Sequence, residues 1–172
     1  MTTLRSYDQQ LCIRIFELGG RRKLDDRLMY AFSHLGYGYL YPVILFLFFR
    51  QSRNETRLLL PASLAAFALV AVGQTLLKRK ANRPRPFETL PGVEKRMNPP
   101  DPFSFPSGHA AGAFLMATLC LHAHAALGLA ALPFAMTVAL SRVYMGMHYP
   151  SDVMAGSLLG VLSARLGLAI WL

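Results

Sequence analysis

Two long stretches of this chain contain no charged side chain, and they limit the folds available to it more than any other feature. The stretch from Leu58 to Leu77 has twenty residues without Asp, Glu, Lys or Arg, and the stretch from Ala110 to Ser141 has thirty-two. A helix of the second length would be about 48 Å long, whereas the hydrocarbon core of a bilayer is about 30 Å thick. We therefore expect the first stretch to cross a membrane once and the second to cross twice, turning between His122 and Gly128.

The composition of the remaining chain fits the same class. Hydrophobic residues make up 53% of the chain and charged residues only 16%, and the charges lie in blocks between apolar runs, as is typical of membrane proteins. The stretch from Leu28 to Phe49 is long enough for another span, and Gly36, Gly38 and Pro42 are expected to divide it into an interfacial piece and a shorter span. Residues 151 to 171 are the last predicted span. The sequence predicts an all-α integral membrane bundle of about five to six transmembrane helices.

The N-terminal segment has a different pattern. Between residues 6 and 18, helical spacing places Leu11, Ile15 and Leu18 on one face, as in a helix that lies in the membrane interface. A surface helix packed on the bundle is the alternative. Asp8, Gln9 and the charges that follow interrupt any apolar core, so the layout of a cleavable signal is not expected here.

We interpret the chain as one domain, residues 1–172, with an interfacial N-terminal segment at 1–27. Residues 79–106 are predicted to form an ordered extramembrane loop, because seven of the eleven prolines lie there. Gly156, Gly160 and Ala164 form a stripe of small residues that would let the last helix approach a neighbour closely.

The net charge of +9 limits the partners. The cations lie at segment ends and in loops, which favours a lipid bilayer with anionic headgroups and phosphate substrates and argues against nucleic acid. Cys12 and Cys120 are the two cysteines, and their distant apolar positions do not predict a disulfide framework. No carboxylate cluster or HxxxH-type pair predicts a metal site, and no cofactor is expected.

Three short polar segments interrupt the apolar chain: Lys78 to Pro86, Pro106 to His109, and Ser141 to Asp152. If the spans cross as predicted, the cations and histidines of these segments emerge on one side of the membrane. The side chains concerned are Lys78, Arg85, His109, Arg142 and His148. This coincidence predicts one shared pocket. His122 and His124 are expected at the opposite end.

The cations of these segments suit phosphate chemistry. A phosphoryl group in its transition state spreads negative charge over three oxygens, and fixed donors stabilise it. Lys78, Arg85 and Arg142 can supply such donors. Anchoring of helix ends at lipid headgroups is the alternative, and it is our prediction for the other cations of the first segment: Arg79, Lys80 and Arg83.

The segment Pro106-Ser107-Gly108-His109 precedes an apolar run and is expected to open a helix, with proline in the first turn. The N-terminus of a helix presents free N–H groups to an anion. Ser107 and Gly108 are therefore predicted to contact phosphate.

His148 precedes Pro150, which is expected to begin the final helix, so the imidazole should lie at the mouth of the pocket. Asp152 lies four residues further on, at a spacing that would let it accept the Nδ1–H of His148. That contact would leave Nε2 free to attack phosphorus. A hydrogen bond that merely starts the helix is the alternative reading of such a pair.

The spacings Lys-x6-Arg-Pro, Pro-Ser-Gly-His and Ser-Arg-x5-His-x3-Asp resemble the three-part signature of the type 2 phosphatidic acid phosphatase family, in the family's order. The resemblance covers about residues 78 to 152 and implies metal-free, two-step hydrolysis through a phosphohistidine. It implies that His148 is the nucleophile, Asp152 its partner, and His109 the acid that protonates the leaving oxygen and later assists water. The positions that match the family's phosphate-binding residues are Lys78, Arg85, Ser107, Gly108 and Arg142.

The leading hypothesis is accordingly an enzyme that hydrolyses membrane lipid phosphates. Small bacterial members of the family act on undecaprenyl diphosphate or monophosphate, phosphatidylglycerophosphate, phosphatidic acid or lipid A phosphates, and the short loop at 79–106 favours the smaller headgroups. A lipid phosphotransferase using the same phosphohistidine is one alternative. The others are a soluble haloperoxidase, against which the spans argue, and a non-catalytic lipid-binding membrane module.

The expected location is the bacterial inner membrane. Counting cations gives Arg50, Arg53 and Arg57 on the face opposite the pocket, and more cations on the pocket side, which taken alone would place the site in the cytoplasm. Several pocket-side cations have a substrate to bind, however, and the family's usual arrangement faces outward. We therefore expect the site on the extracytoplasmic side.

Overall fold

The computed structural model describes residues 2–19, 23–51 and 59–171, and these residues form helices, turns and loops without a strand. The predicted start of one span at Leu58, and the polar loop with Arg53 and Arg57, lie outside the described residues. Eight helices are described: α1 Thr2–Phe16, α2 Lys23–Leu35, α3 Tyr41–Gln51, α4 Leu59–Ala81, α5 Pro86–Thr89, α6 Gly108–Ala123, α7 Ala125–Tyr144 and α8 Pro150–Trp171.

The apolar runs form the membrane-spanning part of an all-α bundle. Within the described residues, the segments Leu59–Thr89, Ala125–Tyr144 and Pro150–Trp171 are long and apolar enough to cross a bilayer, and Gly108–Ala123 is a shorter apolar helix. The thirty-two-residue run does turn back on itself, because α6 ends at Ala123 and α7 begins two residues later. Helix α6 packs against α4, α7 and α8 and lies at the centre of the bundle.

The stretch from Leu28 to Phe49 is divided as the sequence predicts. Helix α2 ends at Leu35 and α3 begins at Tyr41. Gly38 lies between them with φ 83°, a left-handed conformation that a glycine adopts without strain. The two pieces can therefore take different directions, α2 packing on α7 and α3 on α4.

The stripe of small residues on α8 is a packing surface. A Cβ atom at Gly156 would lie 2.3 Å from the carbonyl oxygen of Ser107, and one at Gly160 would lie 2.1 Å from that of Ala111. Only glycine allows the backbones of α6 and α8 to approach so closely. Because α6 and α8 both begin at the polar end of the bundle, this contact fixes the start of one helix against the start of the other.

The 79–106 segment contains more helix than the prolines indicate. Helix α4 continues to Ala81 and ends at Asn82, whose φ of 40° and N–H bond to the Lys78 carbonyl close the last turn. The short helix α5 begins at Pro86, where the Glu88 carboxylate accepts the N–H of Arg85 at 3.0 Å. A proline in the first turn loses no helical hydrogen bond, which explains why the Pro-rich segment can still contain a helix.

Candidate active site

The loop between α7 and α8 carries His148 to the polar end of the bundle. Helix α7 ends at Tyr144, and Gly146 follows with φ 70°. The N–H groups of Met147 and His148 then both point back to the Arg142 carbonyl, at 3.0 and 3.3 Å. This left-handed helix end reverses the chain within four residues. His148 is 2% exposed.

The two nitrogens of the His148 imidazole have different partners. Nδ1 lies 2.6 Å from the backbone carbonyl oxygen of Ser104, and Nε2 lies 3.4 Å from Nη1 of Arg85. A carbonyl only accepts and a guanidinium only donates, so Nδ1 carries the proton and Nε2 keeps its lone pair. This tautomer is the one expected of a nucleophilic imidazole.

The predicted hydrogen bond from His148 to Asp152 is not formed. Oδ2 of Asp152 lies 4.0 Å from Nδ1 of His148. It accepts instead from the hydroxyl of Ser104 at 2.5 Å and from the N–H of Tyr149 at 2.9 Å. The sequence spacing brings the carboxylate near the imidazole, but the Ser104 carbonyl is closer to Nδ1 and accepts its hydrogen bond. Asp152 therefore contacts His148 through Ser104.

Burial keeps the His148 imidazole neutral. It depresses the pKa of His148 well below its usual range, and the neighbouring charges of Arg142, Arg85 and His109 lower the pKa further. The neutral form is the nucleophilic one.

The prediction that Arg83 anchors the helix end at lipid headgroups is wrong, because its guanidinium pairs with protein groups. Its Nη1 donates to Asp152 Oδ1 at 2.6 Å and to the Ser151 hydroxyl at 2.8 Å, and its Nη2 donates to Asp8 at 2.7 Å. Its guanidinium also lies 3.8 Å from the centre of the Tyr149 ring. The ion pair with Asp152 is what allows that carboxylate to be fully buried.

Lys78 and Arg85 share one carboxylate. Asp101 lies 2.5 Å from Nζ of Lys78 and 3.4 Å from Nη2 of Arg85, whose guanidinium also donates to the Asp101 and Met147 carbonyl oxygens. Burial alone would raise the pKa of the Asp101 carboxyl, but the hydrogen bond and charge of Lys78, the Phe103 amide and Arg85 together hold that pKa below its usual range. The carboxylate stays ionised and holds both cations near the imidazole.

Arg142 is a buried cation without a carboxylate in contact with it among the described residues. It is 1% exposed. Nη1 donates to the hydroxyl of Ser33 on α2 and to the sulfur of Met97, and Nε has no partner. Burying an uncompensated charge is costly. An anion bound beside it would supply the missing charge and accept the free N–H.

Helix α6 begins at this same end of the bundle. Ser107 is its N-cap, and Pro106 lies before the cap and not in the first turn as predicted. The N–H of Ser107 donates to the Asp152 carbonyl at 3.0 Å, while its buried hydroxyl has no partner. The first amides of the helix have no preceding turn to bond with. At Gly108 a Cβ atom would lie 3.0 Å from Gln74, so the backbone there is closely approached. The free amides of this first turn form a site suited to an anion.

His109 lies in the first turn of α6 with one nitrogen free. Its ring meets the ring of Tyr37 edge to face, with centroids 4.5 Å apart. Nε2 is buried and has no hydrogen-bond partner. Buried polar atoms are rarely left unpaired. In the described part of the chain the unpaired ones are Tyr41 Oη, Ser107 Oγ, His109 Nε2 and Arg142 Nε, and three of the four belong to the predicted site.

The structure brings the predicted residues to one end of the bundle, while His122 and His124 lie exposed at the other. Asp101, Ser104 and Asp8 were not predicted from the sequence. Asp101 could have been found as an acidic residue between two cationic motifs, whereas the role of Ser104 lies in its backbone carbonyl and leaves no signal. No group of three or more His, Cys, Asp or Glu side chains is placed to hold a metal ion within 2–19, 23–51 and 59–171.

An apolar cavity of about 710 Å³ reaches this end of the bundle from the side. It runs between α3, α4 and α6, from Phe46 and Leu64 past Tyr41 and Phe67 to Gln74 and Gly108. Its far end is lined by hydrophobic side chains of α3 and of the spanning helix α4. The cavity therefore connects the membrane-facing surface to the first turn of α6.

Two solved structures resemble this one over nearly the whole chain. LpxE of Aquifex aeolicus matches with a TM-score of 0.75 and 30% identity, covering 93% of both chains. The transmembrane PAP2 type phosphatidylglycerolphosphate phosphatase of Bacillus subtilis matches with a TM-score of 0.77 and 25% identity, covering 99% of this chain and 87% of that one.

Curated sequences resemble the chain over a shorter range. The bacitracin transport permease protein BcrC of Bacillus licheniformis is 36% identical over 111 residues, 64% of this chain and 55% of its own length. The undecaprenyl-diphosphatase of Sulfolobus acidocaldarius is 33% identical over 139 residues, 77% of this chain and 64% of its own. The chain thus spans little more than half the length of the first of these relatives. The model of the PAP2 superfamily matches residues 58–171, which contain all three polar motifs, and the chain therefore belongs to that superfamily.

Proposed function

We propose that this protein hydrolyses a membrane lipid phosphate, without a metal ion, through a phosphohistidine formed on His148. One observation carries the proposal: Nδ1 of His148 donates to the Ser104 carbonyl, and the unprotonated Nε2 faces the guanidinium of Arg85. A phosphate oxygen bound to Arg85 would lie beside that lone pair. The tautomer and the direction of attack are thus set before substrate binds.

The reaction has two steps in which atoms and charges balance. In the first, Nε2 of His148 forms a bond to phosphorus while the bond from phosphorus to the lipid oxygen breaks. His109, which takes up a proton beside the negatively charged phosphate of the bound substrate, gives that proton to the lipid oxygen. In the second, His109 takes a proton from water as the water oxygen attacks phosphorus. The P–N bond then breaks, which releases inorganic phosphate and restores both imidazoles.

The phosphoryl oxygens would be held by groups that lack a full complement of partners. Arg142 contacts no carboxylate among the described residues, and its Nε is free. Ser107 has an unpaired buried hydroxyl and opens α6. Arg85 and Lys78 add positive charge, and both cations pair with the carboxylate of Asp101. Such preorganised donors supply most of the stabilisation in phosphoryl transfer.

The lateral cavity supports a lipid as the substrate. Its position between α3, α4 and α6 lets a tail enter from the bilayer while the phosphate reaches Gly108 at its inner end. The names of the relatives include an undecaprenyl-diphosphatase and a phosphatidylglycerolphosphate phosphatase. We propose an isoprenoid or glycerophospholipid phosphate as the class of substrate.

Phosphate release by purified protein tests the proposal. In detergent and excess EDTA, the wild type should release inorganic phosphate from undecaprenyl diphosphate, phosphatidylglycerophosphate or phosphatidic acid. His148→Ala should release none, and His124→Ala, altered at an exposed histidine at the other end of the bundle, should match the wild type. Activity retained in His148→Ala would reject the nucleophile, and label transferred to a lipid acceptor would indicate a phosphotransferase.

We further propose that the site faces the extracytoplasmic side of a bacterial inner membrane. Glu94 is exposed in the loop on the site's side, and His124 is exposed in the turn between α6 and α7. In intact cells a membrane-impermeant thiol reagent should label Glu94→Cys and leave His124→Cys unlabelled. The reverse pattern would place the site in the cytoplasm. Cys12 and Cys120 are buried, so the wild type serves as the unlabelled control.

A further inference from the structure

Helix α1 presents two different faces. Asp8, Cys12 and Phe16 follow one another at intervals of four residues, and Cys12 and Phe16 are buried against the loop that carries His148. Leu4 and Tyr7 are exposed, at 82% and 64%. Of the three residues predicted to share one face, Leu11 and Leu18 are exposed, whereas Ile15 packs against the same cluster as Cys12 and Phe16. The inward face brings one carboxylate, that of Asp8, to the start of α8.

Asp8 binds two parts of the site with its two oxygens. Oδ1 accepts the N–H of Ser151 at 2.9 Å. Oδ2 accepts from the Ser151 hydroxyl at 2.6 Å and from Nη2 of Arg83 at 2.7 Å. The first contact caps helix α8, and the second holds a cation.

Arg83 connects Asp8 to a buried carboxylate. Its other nitrogen, Nη1, pairs with the buried Asp152 at 2.6 Å. Asp152 accepts the hydroxyl of Ser104 at 2.5 Å, and the Ser104 carbonyl accepts Nδ1–H of His148 at 2.6 Å. A continuous series of charged and neutral hydrogen bonds thus joins the N-terminal helix to the imidazole.

A second contact from the same helix reaches the same residue. The thiol of Cys12, one turn after Asp8, lies 3.9 Å from the backbone carbonyl oxygen of His148. Helix α1 therefore touches both the backbone and the hydrogen-bond network of His148. It lies outside the residues 58–171 that match the family model.

We propose, on the basis of the function proposed above, that Asp8 is a positioning residue for the reaction. Shared between Asp8 and Asp152, Arg83 has its guanidinium fixed from both sides. Asp152 and the Ser104 carbonyl are fixed in turn, and with them the imidazole ring. Loss of the Asp8 charge leaves Arg83 bound from one side only. The ring then samples orientations in which Nε2 no longer points at phosphorus.

The substitution Asp8→Asn separates this role from helix capping. The amide oxygen of asparagine can still accept the N–H of Ser151, so the cap on α8 is kept. The charge that pairs with Arg83 is lost. A residue needed only as a cap should therefore tolerate Asp8→Asn, whereas a positioning residue should not.

The test is a double-mutant cycle in detergent-purified protein, using phosphate release from one lipid phosphate. We expect Asp8→Asn to lower kcat about tenfold with KM changed less than about twofold, because displaced reacting groups cost rate and not affinity. Arg83→Gln should cost at least as much. The double variant should equal Arg83→Gln within about twofold, since both changes break one series of bonds. Glu17→Gln, which removes an exposed carboxylate just after α1, should leave kcat unchanged.

Several outcomes overturn the inference. It fails if kcat of Asp8→Asn stays within about twofold of the wild type, or if the two losses multiply in the double variant. If Arg83→Gln does not fold, Arg83→Lys, which keeps a charge beside Asp152, takes its place in the cycle. Full activity of His148→Ala would defeat the proposed function itself, whereas an inactive His148→Ala beside a fully active Asp8→Asn would defeat this inference alone.

Discussion

The imidazole of His148 donates its Nδ1 proton to the backbone carbonyl of Ser104 at 2.6 Å, while the nearest oxygen of Asp152 lies 4.0 Å from the same nitrogen. The hydroxyl of Ser104 donates to that oxygen at 2.5 Å. One residue of the 79–106 segment thus stands between the carboxylate and the imidazole. The tautomer of His148 depends directly on a peptide group and only indirectly on Asp152.

This arrangement predicts a mild effect for Ser104→Ala. The substitution removes the hydroxyl bond to Asp152 and keeps the carbonyl that accepts Nδ1–H. One hydrogen bond to a charged group is worth about 1.5–3 kcal/mol, so kcat should fall by about ten- to a hundredfold and remain measurable. Steady-state phosphate release checks this. Complete inactivity, equal to that of His148→Ala, would mean that the carbonyl does not hold the tautomer.

Replacing Arg142 by an apolar residue should raise the stability of the protein and lower its activity. Its guanidinium is buried without a carboxylate in contact among the described residues, and replacing a poorly compensated buried charge by an apolar side chain often stabilises a protein. Arg142→Met should raise the melting temperature by a few degrees, since about 1 kcal/mol shifts Tm by about 2–4 °C in a chain of this size. Activity should fall at least about a hundredfold. A lower melting temperature would show that Arg142 supports the fold and does not await an anion.

Stability should fall on acidification partly through His148. Its pKa is depressed in the folded protein. Below a pH of about 6.5, His148 is therefore protonated in the unfolded chain and stays neutral in the folded one. The contribution is absent at neutral pH and destabilises the fold by about 2 kcal/mol at pH 5. Melting temperatures at pH 7 and pH 5 should therefore differ less in His148→Gln than in the wild type or in His124→Gln. Equal differences in the three proteins would contradict a buried neutral imidazole.

A larger side chain in the lateral cavity should weaken the binding of long-chain substrates and leave that of short-chain substrates unchanged. Ala71 lines the cavity on α4, and Ala71→Phe would fill part of it. KM for a long-chain lipid phosphate should rise about tenfold, whereas KM for a short-chain, water-soluble analogue should be unchanged, because about 1.4 kcal/mol of apolar contact is lost only for the long tail. Leu158→Phe, at an exposed position on α8, serves as the control. An equal rise for both substrates would place the tail elsewhere.

The helices of the bundle were predictable because their signal is local. Charge-free runs, Gly38 at a helix break and the small residues Gly156 and Gly160 each express a constraint that one segment satisfies by itself. The three motifs likewise indicated which residues share a site. What the sequence could not show was pairing across the chain: Arg83 reaches Asp8, 75 residues upstream.

The partner of His148 illustrates the same limit. A spacing of four residues made Asp152 the expected acceptor, but the accepting group is a backbone carbonyl 44 residues away in sequence. Every residue has a carbonyl, so no side-chain pattern can indicate which one will be used. Such contacts appear only when the fold brings two loops together.

Trapping the covalent intermediate would show directly whether His148 carries the phosphoryl group. His109→Gln lacks the group that activates water, but an aryl phosphate has a leaving group good enough to need no acid, so the phosphoenzyme should accumulate in this variant. With ³²P-labelled aryl phosphate, we expect label on the protein that survives alkali and is lost in acid. The same experiment with His109→Gln combined with His148→Ala should give none. Absence of label from His109→Gln, or label persisting in the double variant, would contradict a phosphohistidine at position 148.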